Sequence, residues 1–175
     1  KGVIPAEKVS EVPLLPIDQP WEDGWRVSYS NIIYDEEEEL FKTWYNVSQE
    51  LSSARAETAE ALAYATSKDG IHWEKPILNI IEANGSKENN LVMPFFRWAT
   101  YGVIKDPIEA DPSKRYKMLF LFQCEHMQFA GIVQPVCVAY SADGINWDTP
   151  RSWVNPVIPE GTDTHLTSHW DSKLH

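Results

Sequence analysis

The candidate chemistry in this chain rests on carboxylates and histidines. The run DEEEEL (Asp35–Leu40) carries enough charge to hold a cation. Like charges in a row repel one another and stay hydrated, so the run reads as a solvated hairpin tip. His165 and His169 are four residues apart, a spacing that puts two metal ligands on one face of a helix. Here they fall on a strand-like segment with no third ligand nearby, so no metal site is predicted. Glu125, in QCEH, sits at a strand end and reads as a hydrated edge. Cys124 and Cys137 lie on successive predicted strands and are either a cross-strand disulfide or two buried thiols. Asn46-Val47-Ser48 and Asn84-Gly85-Ser86 fit the N-glycosylation pattern and read as unused. Asp35, Asp106 and Asp171 close three similar segments, in SNIIYD (Ser30–Asp35), YGVIKD (Tyr101–Asp106) and THLTSHWD (Thr164–Asp171). Whether any of them does chemistry depends on the elements that hold them.

Those elements are organised around SKDGIHW (Ser67–Trp73), which returns as SADGINW (Ser141–Trp147) at an offset of 141 − 67 = 74 residues. FKTWY (Phe41–Tyr45) is answered by YKMLF (Tyr116–Phe120), an offset of 116 − 41 = 75. Pro76 and Pro150 each follow their Trp by three residues. A strand-built period of this length points to one sheet-like unit repeated. Within the motif, Asp69 and Asp143 can accept backbone N–H bonds two residues on. Gly70 and Gly144 supply the positive φ that a tight turn needs. Trp73 and Trp147 are then large apolar plugs with one N–H each to satisfy. The motif is structural.

In chain order, Lys1–Pro20 holds four of the twelve prolines and reads as an extended lead-in lying along something else. PWEDGW (Pro20–Trp25) is a turn, and Arg26–Tyr34 an inner strand. Phe41–Val47 is the second strand, Ser48–Glu60 a short helical insertion or loop, Ala61–Ser67 the third strand, and Pro76–Glu82 a fourth. Asn84-Gly85 marks a turn within a connecting loop, NGSKENN. The order then repeats with strands at Tyr101–Lys105, Tyr116–Gln123 and Pro135–Ser141. This divides the chain into a lead-in (1–20), two units (21–92 and 93–160) and the start of a third (161–175).

The 175 residues suit one ordinary domain, and 43% apolar residues with eight Trp argue against disorder. A formal charge of −11 argues against nucleic acid and against an anionic membrane surface as partners. No apolar run is long enough for a membrane span, and the first residues do not form a signal peptide. Beginning at Lys1, the chain reads as an excised piece. Four-stranded antiparallel units repeated around an axis make a β-propeller, which needs at least about four blades to close. The predicted fold is therefore all-β, a propeller segment completed by a remainder of the protein or by other copies of the chain. A sandwich of two four-stranded sheets is the alternative.

The strings YATSKDGIHWEKP, NGSKENN, LFKTWY, VIKDP with RYKMLF, and VAYSADGINW followed by PVIP and SHWD resemble a bacterial family. Its members are five-bladed, glycosyl-hydrolase-like propellers related to glycoside hydrolase families 32 and 43. The likeness runs from about Trp21 to the C-terminus. The SxDGxxW turn also resembles the Asp-box of sialidases, one residue shorter between Asp and Gly. The resemblance implies hydrolysis of a glycosidic bond, no cofactor, a carbohydrate as ligand, and a secreted or periplasmic location. A non-catalytic carbohydrate-binding or structural propeller is the competing class.

Glycoside hydrolysis usually needs two carboxyl groups flanking the bond. In the related families these sit near the starts of inner strands and face a central pocket. Asp35, Asp106 and Asp171 instead end theirs, and identical residues at equivalent repeat positions are best explained by a shared turn. Matching strand starts points to Asp163 and Asp23 as catalytic candidates, with Glu22 also near the mouth. Arg97, Trp98 and His165 are the substrate-binding candidates. Arg97 suits hydroxyls or a carboxylate, and Trp98 offers a face for a sugar ring.

Overall fold

Arg26–Tyr34 opens with alternating polar and apolar residues, and Phe41–Val47 is rich in aromatic and β-branched residues, so both suit strands. The computed structural model describes residues 5, 7–50, 58–96, 101–121, 136–148, 157–158, 168–171 and 173. Its strands are β1 (Trp25–Asp35), β2 (Leu40–Glu50), β3 (Thr58–Ser67), β4 (Trp73–Glu74) and β5 (Leu91–Phe96). They continue as β6 (Tyr101–Lys105), β7 (Tyr116–Leu121), β8 (Val136–Ser141) and β9 (Trp147–Asp148). Apart from two short 3₁₀ turns, at Pro20–Glu22 and Pro112–Lys114, the named elements are all strands. The protein is all-β. β1-β2-β3-β4 and β6-β7-β8-β9 are two antiparallel meanders, with β5 also paired to β3. No described helix is long and apolar enough to cross a membrane.

The two motif turns are near duplicates. Ser67 Oγ accepts from the N–H of Asp69 and of Gly70, while Asp69 Oδ1 accepts from Ile71 and His72 N–H, both at 2.8 Å. Ser141 and Asp143 do the same for Asp143, Gly144, Ile145 and Asn146. His72 Nδ1 lies 2.7 Å from Asp69 Oδ2, and Asn146 Nδ2 donates to Asp143 Oδ2 at 2.8 Å. The side chains of His72 and Asn146 are thus interchangeable parts of one turn. Gly70 and Gly144 adopt φ of +74° and +76°.

The fourth strand departs from expectation. Pro76–Glu82 is not a strand, and the fourth place is shared by two pieces. Ser67 pairs with Trp73 at one end of β3, and toward the other end Ala63, Leu62 and Glu60 pair with Leu91, Met93 and Phe96. The second sheet splits in the same sense: Ser141 pairs with Trp147, and Val136 makes a single bridge to Ile158. The split follows from Pro76, which has no N–H for the ladder, and from Asn84-Gly85. Both of these residues have positive φ, and the turn they form closes with an Ala83–Ser86 bridge before the chain returns to β3.

The first sheet is covered on both faces. Trp44, Leu62, Tyr64 and Met93 meet Val103, Tyr116, Met118 and Phe120 between the sheets. On the opposite face Tyr45, Val47, Ala63 and Leu91 lie under Leu15, Trp21, Ile81 and Ala83. This accounts for the unbroken burial of residues 42–47. The end of the lead-in, from Leu15 on, therefore packs along its own sheet. Lys75 fastens it, donating to Pro16 O, to Asp18 Oδ1 at 3.0 Å and to both oxygens of Glu22 at 2.8 Å. Asn46, within the first glycosylation-type triplet, is fully buried on β2. Cys137 is a buried free thiol, whereas Cys124 lies outside the described residues.

Candidate functional site

A recess lies at the start of β1, where the Pro20–Glu22 turn meets the end of β2 and the Asn84-Gly85 hairpin. It has a volume of about 680 Å³, and its walls include Trp21, Asp23, Gln49, Asn84, Ser86 and Glu88. The local chain explains how these side chains are held. Pro20 starts the turn, and the Glu22 carboxylate accepts from Asp18 and Gln19 N–H, both at 3.0 Å. Gly24, at φ +76°, then swings the chain into β1 and leaves Asp23 exposed at the bend. Glu22 itself is fully buried and engaged by Lys75, so it holds the turn and does not reach the mouth.

Trp21 is fixed from behind. Its Nε1–H donates to Asn90 Oδ1 at 3.0 Å, and Asn90 Nδ2 donates to Tyr45 OH at 2.7 Å and Tyr64 O at 2.8 Å. Asn90 is fully buried, so the indole sits on a rigid polar pin. Across the recess Gln49 Nε2 donates to Asn84 Oδ1 at 3.3 Å. An aromatic face, amides, a hydroxyl and the carboxylates of Asp23 and Glu88 make a wall that both donates to and accepts from hydroxyl groups.

Glu60 on β3 is a second carboxyl of interest. It shares a sheet face with Leu62 and Tyr64 and accepts from Asn46 Nδ2 at 3.1 Å. Burial pushes its pKa up, and the single bond from Asn46 offsets this only in part. Sequence reasoning placed Glu60 in a polar insertion. The alternation Glu60, Leu62, Tyr64 was the available signal, but β3 begins three residues earlier than expected.

Asp35 at the end of β1, Asp106 just after β6, and Asp171 all behave as turn residues. Asp35 accepts from Glu37 N–H at 3.1 Å, Asp106 from Ile108 N–H at 3.1 Å, and Asp171 from Lys173 N–H at 2.8 Å. Asp35 differs from its expectation in one respect: it is fully buried, not part of a wet tip. It also receives Lys42 Nζ at 2.8 Å, Tyr116 OH at 2.8 Å and Lys105 Nζ at 2.6 Å, the last two from the second sheet. Burial raises its pKa, but the bonds from Lys105, Lys42 and Tyr116 outweigh that and hold the carboxyl well below the usual carboxylate range. Asp106 repeats the arrangement in weaker form, taking Lys117 from β7 where Asp35 takes Lys42 from β2.

Of the residues predicted for the site, Asp23 lines the recess, beside Trp21. Asp163, Arg97, Trp98 and His165 lie outside the described residues. Among the described residues no cluster of three or more His, Cys, Asp or Glu side chains could hold a metal ion. Trp21 was missed because it reads as part of a turn, and its pin comes from a residue 69 positions away.

No family model matches the chain, and no solved structure matches it. The chain is similar to the uncharacterized protein Rv1502 of Mycobacterium tuberculosis (strain ATCC 25618 / H37Rv), with 26% identity over 164 residues. It matches the uncharacterized protein MT1551 of Mycobacterium tuberculosis (strain CDC 1551 / Oshkosh) at the same identity over the same length. Each match covers 88% of this chain and 47% of the relative, so the chain spans about half the length of the curated relatives it matches.

Proposed function

We propose that this chain is part of a five-bladed, glycoside hydrolase-like propeller that acts on a carbohydrate, which it holds in the recess beside Trp21 and Asp23. The observation that carries the reading is the pinned indole of Trp21 next to an exposed carboxylate, inside a wall of hydroxyl-matching groups. A ring face for the C–H side of a sugar and paired donors and acceptors for its hydroxyls are what such a ligand needs. The propeller reading is supported by two meanders with the same fourth-strand split, joined along their first strands, where Val103 N–H donates to Asn31 Oδ1 at 2.7 Å. The remaining units would come from a longer protein or from other copies of the chain.

In this reading Asp23 and Asp163 form the carboxyl pair, one giving a proton to the leaving oxygen and the other acting as nucleophile or base. Arg97, Trp98 and His165 contact the sugar. A purely binding role is the second reading, and the exposure of Asp23 favours it, because a general acid is usually tuned by burial.

The test is turnover of a panel of aryl glycosides, and binding of the matching oligosaccharides, by the full-length protein. For the enzyme, Asp23→Asn lowers kcat by roughly 10²–10⁴-fold while binding persists. For the binding module, no substrate turns over and Trp21→Ala abolishes binding. Neither turnover nor binding across the panel sinks both readings.

A further inference from the structure

A second cavity, about 300 Å³, opens at the opposite end of β1 from the Trp21 recess. Its walls include Tyr34, Lys105 and Trp170. These three occupy one position in the repeated segments, each directly preceding the aspartate that closes SNIIYD, YGVIKD and TSHWD. The closing position is aspartate all three times, and each aspartate bonds its own turn. The position before it is Tyr, then Lys, then Trp. All three line the one cavity, two of them aromatic and one cationic.

The character of the walls narrows the ligand. The Tyr34 ring packs on Phe41 with centroids 4.8 Å apart, yet stays 50% exposed. Trp170 supplies a second aromatic side chain. Lys105 Nζ is held by Asp35 Oδ1 at 2.6 Å and Glu37 Oε2 at 2.9 Å, and Arg115 donates to Glu37 as well. The charges are thus already paired. An ionic ligand would have to displace a partner, whereas a neutral polyol can donate to the carboxylates and accept from the cations without breaking either pair. The volume lies at the small end of ligand pockets, roughly 300–1,000 Å³, which suits one ring and not an extended chain.

We propose that this cavity is a second binding site, taking a single neutral sugar ring between Tyr34 and Trp170, with Lys105, Arg115 and Glu36 facing its hydroxyls. The site is separate from the Trp21 recess. The eleven residues of β1 lie between them, roughly 30 Å at about 3.3 Å per residue. It stands whether or not the first recess binds or hydrolyses anything.

The experiment uses the full chain labelled with 5-fluorotryptophan and observed by fluorine NMR. The Trp170 and Trp21 resonances are assigned by their loss in Trp170→Phe and Trp21→Phe, so each reports its own cavity. Glucose, galactose, mannose, xylose, arabinose and fructose are titrated separately, with glucuronate and choline as charged probes. At least one neutral sugar should shift the Trp170 resonance saturably. Tyr34→Leu, which keeps apolar bulk but removes the ring, should weaken that binding by roughly tenfold without changing the fold. The proposal is overturned if no neutral sugar moves the Trp170 resonance, if only glucuronate or choline does, or if Tyr34→Leu binds as well as the parent. A static Trp21 resonance in the same titrations counts against the first recess alone.

Discussion

The indole Nε1–H of Trp44, on β2, donates to the carbonyl oxygen of Gly144 at 2.7 Å, joining the first sheet to the motif turn of the second. The contact is close enough that a Cβ on Gly144 would lie 2.7 Å from Trp44 Cζ2 and 3.2 Å from Tyr116 Cδ1. The equivalent glycine of the first sheet, Gly70, has only its own Phe41 nearby, at 3.7 Å. One glycine answers to its turn alone, and the other to its turn and its neighbour.

Gly70→Ala and Gly144→Ala should therefore differ in cost. Both force an alanine into left-handed backbone, at about 1–2 kcal/mol. Gly144→Ala adds overpacking against Trp44, worth about 1–3 kcal/mol more. Urea unfolding of the two variants measures the difference, and equal losses would mean the indole moves aside freely.

Asp35→Asn should destabilise the protein by roughly 3–5 kcal/mol, because it removes the buried carboxylate that Lys42, 3% exposed, shares with Lys105, and leaves Lys42 only the exposed Glu38. Asp106→Asn should cost only about 0.5–2 kcal/mol, since Lys117 is 23% exposed and keeps Glu109. The folded Asp35 has a depressed pKa, so its stabilisation is present at neutral pH. It is lost as pH falls below the free aspartate value, about 3.9, toward the folded one. Acid titrations of melting temperature should show this limb flattened in Asp35→Asn. An unaltered limb would mean other carboxylates govern acid unfolding.

Glu60 should behave in the opposite sense. Its folded pKa is raised, so the folded chain holds that proton more tightly than the unfolded one. The group therefore disfavours folding at neutral pH, and acidification toward the free glutamate value, about 4.3, relieves the effect. Glu60→Gln should raise the melting temperature at pH 7, with the advantage gone below about pH 4. A lower melting temperature at pH 7 would show that Asn46 needs an ionised partner.

The site was legible only in part. Asp23 could be singled out because Gly24 and the prolines mark a turn before an inner strand, and loop residues at strand ends are where ligands are met. The fixing of Trp21 could not be read. It depends on Asn90, which the sequence places in a connecting loop and the structure buries under Tyr45 and Tyr64. The sequence puts Glu60 at the end of a polar helical insertion or loop and Asp35 in an acidic hairpin tip, so neither reads as buried. What buries them comes from elsewhere: the sheet-to-sheet face for one, Lys105 and Tyr116 for the other.

What the sequence by itself determined is the repeat, the strand order within each unit and the two motif turns. Those turns close within seven residues, so Ser, Asp and Gly at set offsets are enough to specify them. Tertiary structure alone decided which faces of the first sheet are covered, how the fourth strand is divided, and which turn glycine receives a neighbour. A period of two residues separates the faces of a strand but does not say what packs on them. That is settled by side chains such as Trp44, whose partner lies 100 residues along the chain.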